Sequence, residues 1–148
     1  MGVPRRLQHC GLIVADLERS RAFYGGALGL EEVPRPHNFV FAGAWFQVGE
    51  DQLHLLVQGD TTGSAGALDP GPSVRVGLAT HIALEVDDLD AARTRLEEHS
   101  VALIGGPMPR GDGYDQIFMR DPDGYVIELF EHTGEDQSDA PLREPIRE

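Results

Sequence analysis

Four residues of this chain have the chemistry and the spacing of a metal-ligand set: His9, His54, His81 and Glu128. Imidazole nitrogens and carboxylate oxygens are common protein donors to divalent first-row cations. His54 follows His9 by 45 residues and Glu128 follows His81 by 47, so the set divides into two pairs of nearly equal span. Three neutral imidazoles and one carboxylate would close a tetrahedral Zn²⁺, but leave positions open on a five- or six-coordinate cation such as Ni²⁺ or Fe²⁺. The donors alone therefore admit one divalent metal drawn from Zn, Ni, Fe, Co or Mn. A single strand histidine is more often a hydrogen-bonded structural residue than a ligand. The joint recurrence of the four residues is what favours metal.

That recurrence follows an internal repeat, the signature of a duplicated supersecondary unit. His9–Tyr24 aligns with His81–Leu96 at an offset of 72, pairing His9 with His81, Leu12 with Leu84, Val14 with Val86, Asp16 with Asp88, Leu17 with Leu89 and Arg21 with Arg93. Each copy opens on a short strand (7–14 or 80–86). An aspartate suited to cap a helix follows, Asp16 or Asp88. A helix is then expected over 17–28 or 89–99, ending at Gly29 or the Ser100-Val101 junction. Two strands close each copy: 39–48 and 52–58 in the first, 116–120 and 125–131 in the second. The latter pair is joined by Asp121-Pro122-Asp123-Gly124, a strong turn signal because Pro fixes φ and Gly accepts positive φ. With weakly marked second strands near 31–35 and 101–104, both copies read βαβββ. The expected organisation is a first module over 7–58, a Gly/Pro/Ser/Thr-rich linker over 59–79, a second module over 80–132 and a polar acidic tail over 133–148.

Strand alternation assigns faces. Leu53 and Leu55 share one face and Ile127 and Leu129 another, each a natural seat for a helix. His54 and Glu128 point the opposite way, toward a concave inner wall. A carboxylate among apolar neighbours is costly unless something pairs with it, and a cation shared with the histidines supplies that pairing. Glu128 is the one donor that could also leave a metal and act as a general base, so it is the catalytic candidate. Trp45, Tyr114 and Arg110 are candidate substrate contacts. Phe39 or Phe41, together with Met119, are further candidates for the pocket wall, and Arg110 or Arg75 is available for an anionic group. Cys10 alternates with His9 and should pack beneath the helix; His37 and His99 should face solvent, and His132 opens the tail and is not a ligand candidate.

The formal net charge of −13 argues against nucleic acid and anionic membrane as partners, since cationic patches supply most of that attraction. No apolar run approaches the length of a membrane span, and residues 1–6 lead into no signal-peptide stretch. One cysteine excludes an internal disulfide framework and suits a reducing compartment, so a cytoplasmic location is expected.

The stretches Leu7–Tyr24, Leu28-Gly29-Leu30, His81–Leu89 and Arg120–Leu129 resemble the vicinal-oxygen-chelate superfamily. That superfamily includes glyoxalase I, methylmalonyl-CoA epimerase, extradiol dioxygenases and the fosfomycin- and bleomycin-resistance proteins. The resemblance covers about residues 7–132. It implies an α+β fold in which two βαβββ modules form an incomplete eight-stranded mixed barrel with helices outside. It also implies a homodimer, and a metal held where His9, His54, His81 and Glu128 stand. The implied activity is that of a metal-dependent isomerase, lyase or dioxygenase that chelates neighbouring oxygens of a small metabolite. The alternative is a non-catalytic drug-binding protein of the bleomycin-resistance type. Two departures argue against glutathione-dependent glyoxalase chemistry. His54 stands where glyoxalase I carries a carboxylate, and Ile13 where it carries an arginine.

Overall fold

The structure is a computed structural model that describes residues 2–67 and 74–134. The inner part of the expected linker (68–73) and nearly all of the expected tail (135–148) lie outside those residues. The chain divides into two compact units at Gly66/Ala67, each described by itself.

The first unit runs β1 (His9–Val14), α1 (Leu17–Arg21), β2 (Glu31–Val33), β3 (Gly43–Val48) and β4 (Asp51–Val57). Its four strands form one mixed sheet in the order β1-β4-β3-β2, with β1 parallel to β4 and the other pairs antiparallel. Asp16 caps α1 by accepting the Arg19 amide at 2.9 Å, a contact worth about 1 kcal/mol. The expected helix over 17–28 is α-helical only to Arg21. A π turn continues it through Ala22–Ala27, closed by the Leu28 amide donating to the Phe23 carbonyl at 2.9 Å. The wider turn coincides with a segment in which Phe23, Tyr24 and Ala27 all go inside around Gly25-Gly26. With Leu12, Val14, Ala44, Phe46, Leu53 and Leu55 they form the buried side of the unit. The strand expected over 39–48 begins only at Gly43. There a Cβ would run into the Leu55 carbonyl oxygen, so only glycine lets the two backbones approach this closely.

The second unit repeats the plan: β5 (His81–Glu85), α2 (Leu89–Glu98), β6 (Leu103–Pro109), β7 (Tyr114–Arg120) and β8 (Val126–His132). The order β5-β8-β7-β6 and the parallel β5–β8 pair match the first sheet. Asp88 caps α2 through the Ala91 amide at 2.7 Å, and Leu89 and Leu96 of that helix are buried, as are Ile117, Met119, Ile127 and Leu129 of the sheet. The β7–β8 turn is held by buried Asp121, whose Oδ1 accepts the amides of Asp123 and Tyr125, both at 2.9 Å. β6 runs further than the weak strand signal near 101–104 and slips register twice against β7 around Gly105-Gly106. The fold is thus α+β, two βαβββ units each built on a four-stranded mixed sheet. No described helix is long and apolar enough to cross a membrane.

Candidate metal centre

Backbone register gives both units the same slot. His9 and His81 open β1 and β5. Two residues on, a small residue, Gly11 or Ala83, sits directly opposite the second member of each pair: Gly11 opposite His54 on β4, and Ala83 opposite Glu128 on β8. Residues paired across a sheet share a face, so His9, Gly11 and His54 lie on one side of their sheet. Trp45, paired with His54 from β3, joins them. His81, Ala83 and Glu128 lie on one side of theirs, with Phe118 paired to Glu128 from β7. The small residues leave room for the longer side chains beside them.

In the first unit the result is a stack of rings. The His54 ring lies flat between His9 (centroids 4.3 Å apart, 15° between planes) and Trp45 (4.0 Å, 3°). Phe39 packs edge-on to Trp45 at 5.2 Å, Phe41 packs edge-on to Phe39, and the Arg35 guanidinium covers the Phe41 ring. His9 Nδ1 bonds the Gln8 side-chain oxygen at 2.6 Å, and His54 Nε2 bonds that of Gln52 at 2.9 Å. Burial and the neighbouring His9 both push the His54 pKa below its ordinary value, burial more strongly. Stacked rings cannot share one cation as they stand, because it would lie out of both ring planes and off the lone pairs. His9 is exposed, so turning its ring meets little resistance.

In the second unit the pair is charged and buried. Glu128 is 4% exposed, and its Oε2 stands 3.0 Å from His81 Nε2. The other nitrogen of that ring, Nδ1, lies 2.7 Å from the Ala79 carbonyl, which can only accept, so Nδ1 carries the hydrogen. A neutral His81 therefore turns a lone pair toward a carboxylate oxygen. The contact is attractive only with a proton or a cation between the two. At 3.0 Å the pair stands at ordinary hydrogen-bond distance, somewhat closer than the roughly 3.4 Å between two donors about 2.0–2.1 Å from one tetrahedral cation. Arg110 approaches the second oxygen, Oε1, at 3.7 Å. Its Nε lies 2.9 Å from Asp112, and its guanidinium sits over Tyr114 (4.3 Å) and Phe130 (4.7 Å). Asp112 foremost, and then Glu128, raise the Arg110 pKa against the opposing effect of burial.

Trp45 and Arg110 thus lie beside candidate ligands within their own units, whereas Tyr114 pairs with His132 and touches Arg110 and Phe130 rather than Glu128 or His81. Met119 does not lie beside a ligand either: it pairs with Ile127 on the opposite face from Glu128 and is fully buried. Phe118 takes the place next to Glu128, a parity that Glu128's cross-strand partner determines. Cys10 is half-buried, and burial raises its thiol pKa. His37, His99 and His132 are exposed. Among the described residues no group of three or more His, Cys, Asp or Glu side chains is gathered for a metal ion. Each unit, taken by itself, holds a pair. The oxygen partners Gln8, Gln52 and the Ala79 carbonyl went unseen in the sequence, although Gln52 stands two residues before His54 on the same strand face.

The sequence profile of the Glyoxalase/Bleomycin resistance protein/Dioxygenase superfamily matches residues 6–129, and the chain belongs to that superfamily. It is 32% identical over 130 residues to a lactoylglutathione lyase of Salmonella typhimurium, covering 85% of this chain and 92% of the relative. It is also 32% identical over 132 residues to an ethylmalonyl-CoA/methylmalonyl-CoA epimerase of Cereibacter sphaeroides, covering 84% and 96%. The crystal structure of a putative glyoxalase family protein from Bacillus anthracis superposes with a TM-score of 0.69 at 23% identity, covering 89% of this chain and 98% of that one. These relatives make the chain a glyoxalase-like member of an enzyme family.

Proposed function

We propose that the chain is a divalent-metal-dependent enzyme of the isomerase, lyase or dioxygenase class acting on a small metabolite with neighbouring oxygens. The metal would be held by His9, His54, His81 and Glu128. The observation that carries the reading is the state of the histidines. Each has one ring nitrogen bonded to an oxygen acceptor (Gln8, Gln52 or the Ala79 carbonyl), which leaves the other nitrogen as a donor. Metal-binding imidazoles are oriented in this way by their second ring nitrogen. A bound divalent cation would supply Lewis acidity to a developing enolate or oxyanion.

The chain's own residues would do the rest. Glu128, buried and approached by a cation, can take up a proton from the substrate. Arg110, held by Asp112 and two rings, can orient an anionic substrate group, while Trp45 and Tyr114 offer flat apolar contact. The relatives named as a lyase and as an epimerase support isomerase or lyase chemistry over oxygenation. We further propose that the protein works as a homodimer in the cytoplasm.

A second reading, a drug-binding protein without catalysis, is favoured by one observation: the Phe39, Phe41 and Trp45 cluster, an aromatic wall of the kind that holds flat ligands. Elemental analysis of protein purified without a histidine tag separates the two. Stoichiometric metal that is lost in both His54→Ala and Glu128→Ala supports the enzyme. Metal-free, folded protein that binds an aromatic drug sinks it.

A further inference from the structure

The hydrogen bonds around His54 form a directed chain whose polarity can be read from its far end. Gln47 Nε2 donates to two backbone carbonyls of the β3–β4 hairpin, Gly49 at 2.8 Å and Asp51 at 3.1 Å. Carbonyls cannot donate, so this end of the amide must be the nitrogen, and the flipped amide would set oxygen against two oxygens. Gln47 Oε1 is therefore the atom turned to Gln52, its direct partner across the hairpin, and it accepts from Gln52 Nε2 at 3.3 Å. That commits Gln52 Oε1 to the remaining contact, with His54 Nε2 at 2.9 Å. An amide oxygen only accepts, so His54 must donate. Its hydrogen is on Nε2 and its lone pair on Nδ1. Two backbone carbonyls thus choose the tautomer of a histidine at the other end of a two-glutamine relay.

We infer that Gln47 and Gln52 are positioning residues that lock His54 in the Nε2–H tautomer and thereby present Nδ1 as its donor to a divalent cation. The second half of this statement rests on the metal reading above; the first does not. The unit holds its two histidines in opposite senses, since His9 uses Nδ1 for its oxygen partner and leaves Nε2 as donor. Without the relay His54 could place its hydrogen on either nitrogen, and the Nδ1–H form must give up that proton before it can bind through Nδ1.

The test uses the full chain, ¹⁵N-labelled and metal-free, with long-range ¹H–¹⁵N correlation spectra of the His54 ring and Co²⁺ titration of the same samples. The wild type should show Nε2–H. Gln52→Leu should show mixed tautomers and bind Co²⁺ about 10–100-fold more weakly. Gln47→Leu should shift both readouts in the same direction by less. Gln52→Glu keeps an acceptor for Nε2–H, so it should retain the tautomer while losing its bond to Gln47. An Nδ1–H ring in the wild type, or an unchanged tautomer in Gln52→Leu, overturns the relay whatever happens to the metal. A wild type that shows Nε2–H but takes up no Co²⁺ overturns the metal reading and the presenting role while leaving the tautomer lock standing.

Discussion

The two units use one backbone plan to hold chemically opposite pairs. In each, a histidine opens the first strand, and a second functional side chain stands across the parallel pair from a small residue two positions on. In the first unit the pair is two imidazoles, stacked, half-open and oriented by glutamine amides. In the second it is an imidazole and a buried carboxylate, oriented by a backbone carbonyl and an arginine. Register fixes where the side chains go, and the neighbours on the same face decide what they can be. A carboxylate is accommodated opposite Ala83 where Arg110 approaches one oxygen and His81 faces the other across a gap that a proton or a cation can fill. Opposite Gly11, with Trp45 flat against the slot, a neutral ring is the better occupant, since burial penalises charge there.

This contrast predicts unequal consequences of removing each second member. Glu128→Ala should cost about 3 kcal/mol, because Arg110 loses a buried charge partner and a space opens beside His81 and Phe118. That corresponds to a fall in Tm on the order of 10 °C, read by calorimetry on metal-free protein. His54→Ala removes a stacked ring rather than a charge partner and should cost only about 1 kcal/mol. Equal losses for the two variants would break the comparison. Arg110→Met comes next. It keeps apolar contact with Tyr114 and Phe130 but removes the cation facing Glu128, and should cost about 1 kcal/mol. If Arg110→Met were silent in denaturant unfolding, the Arg110–Glu128 approach would carry none of the second unit's stability.

Much of this plan is legible in the sequence because it depends on local signals. The Asp16 and Asp88 caps, the Asp121–Gly124 turn and the strand parity that buries Leu53 and Leu55 follow from residue type and period. The remainder depends on partners distant in the chain. The π turn at Ala22–Ala27 needs the buried surface that receives Phe23 and Tyr24, and α-helical spacing gives no hint of it. β3 starts at Gly43, not Phe39, where Phe39 packs on Phe41 and on Trp45 instead of pairing in the sheet. Met119 and Phe118 trade places because only cross-strand register says which of two adjacent apolar residues joins Glu128. The glutamine relay is least visible of all. Gln47 and Gln52 are ordinary strand residues until the hairpin register sets them side by side.

The smallest expected effect sharpens the contrast from the first unit's side. Burial and His9 hold the His54 pKa below its ordinary value, so folding favours the neutral ring. The unfolded chain, with an ordinary histidine pKa of about 6.5, binds the proton more readily than the folded one. Stability from this group is therefore fully present above that value and is lost as pH falls below it toward the depressed folded pKa. Metal-free wild type should lose Tm between about pH 7 and about pH 5.5 more steeply than His54→Gln, which cannot titrate. Acidic groups contribute equally to both proteins, so the difference between the two curves isolates the ring. Parallel curves would mean that His54 is solvated like a surface histidine, and the proposed division between a neutral slot and a charged one would fail at its neutral end.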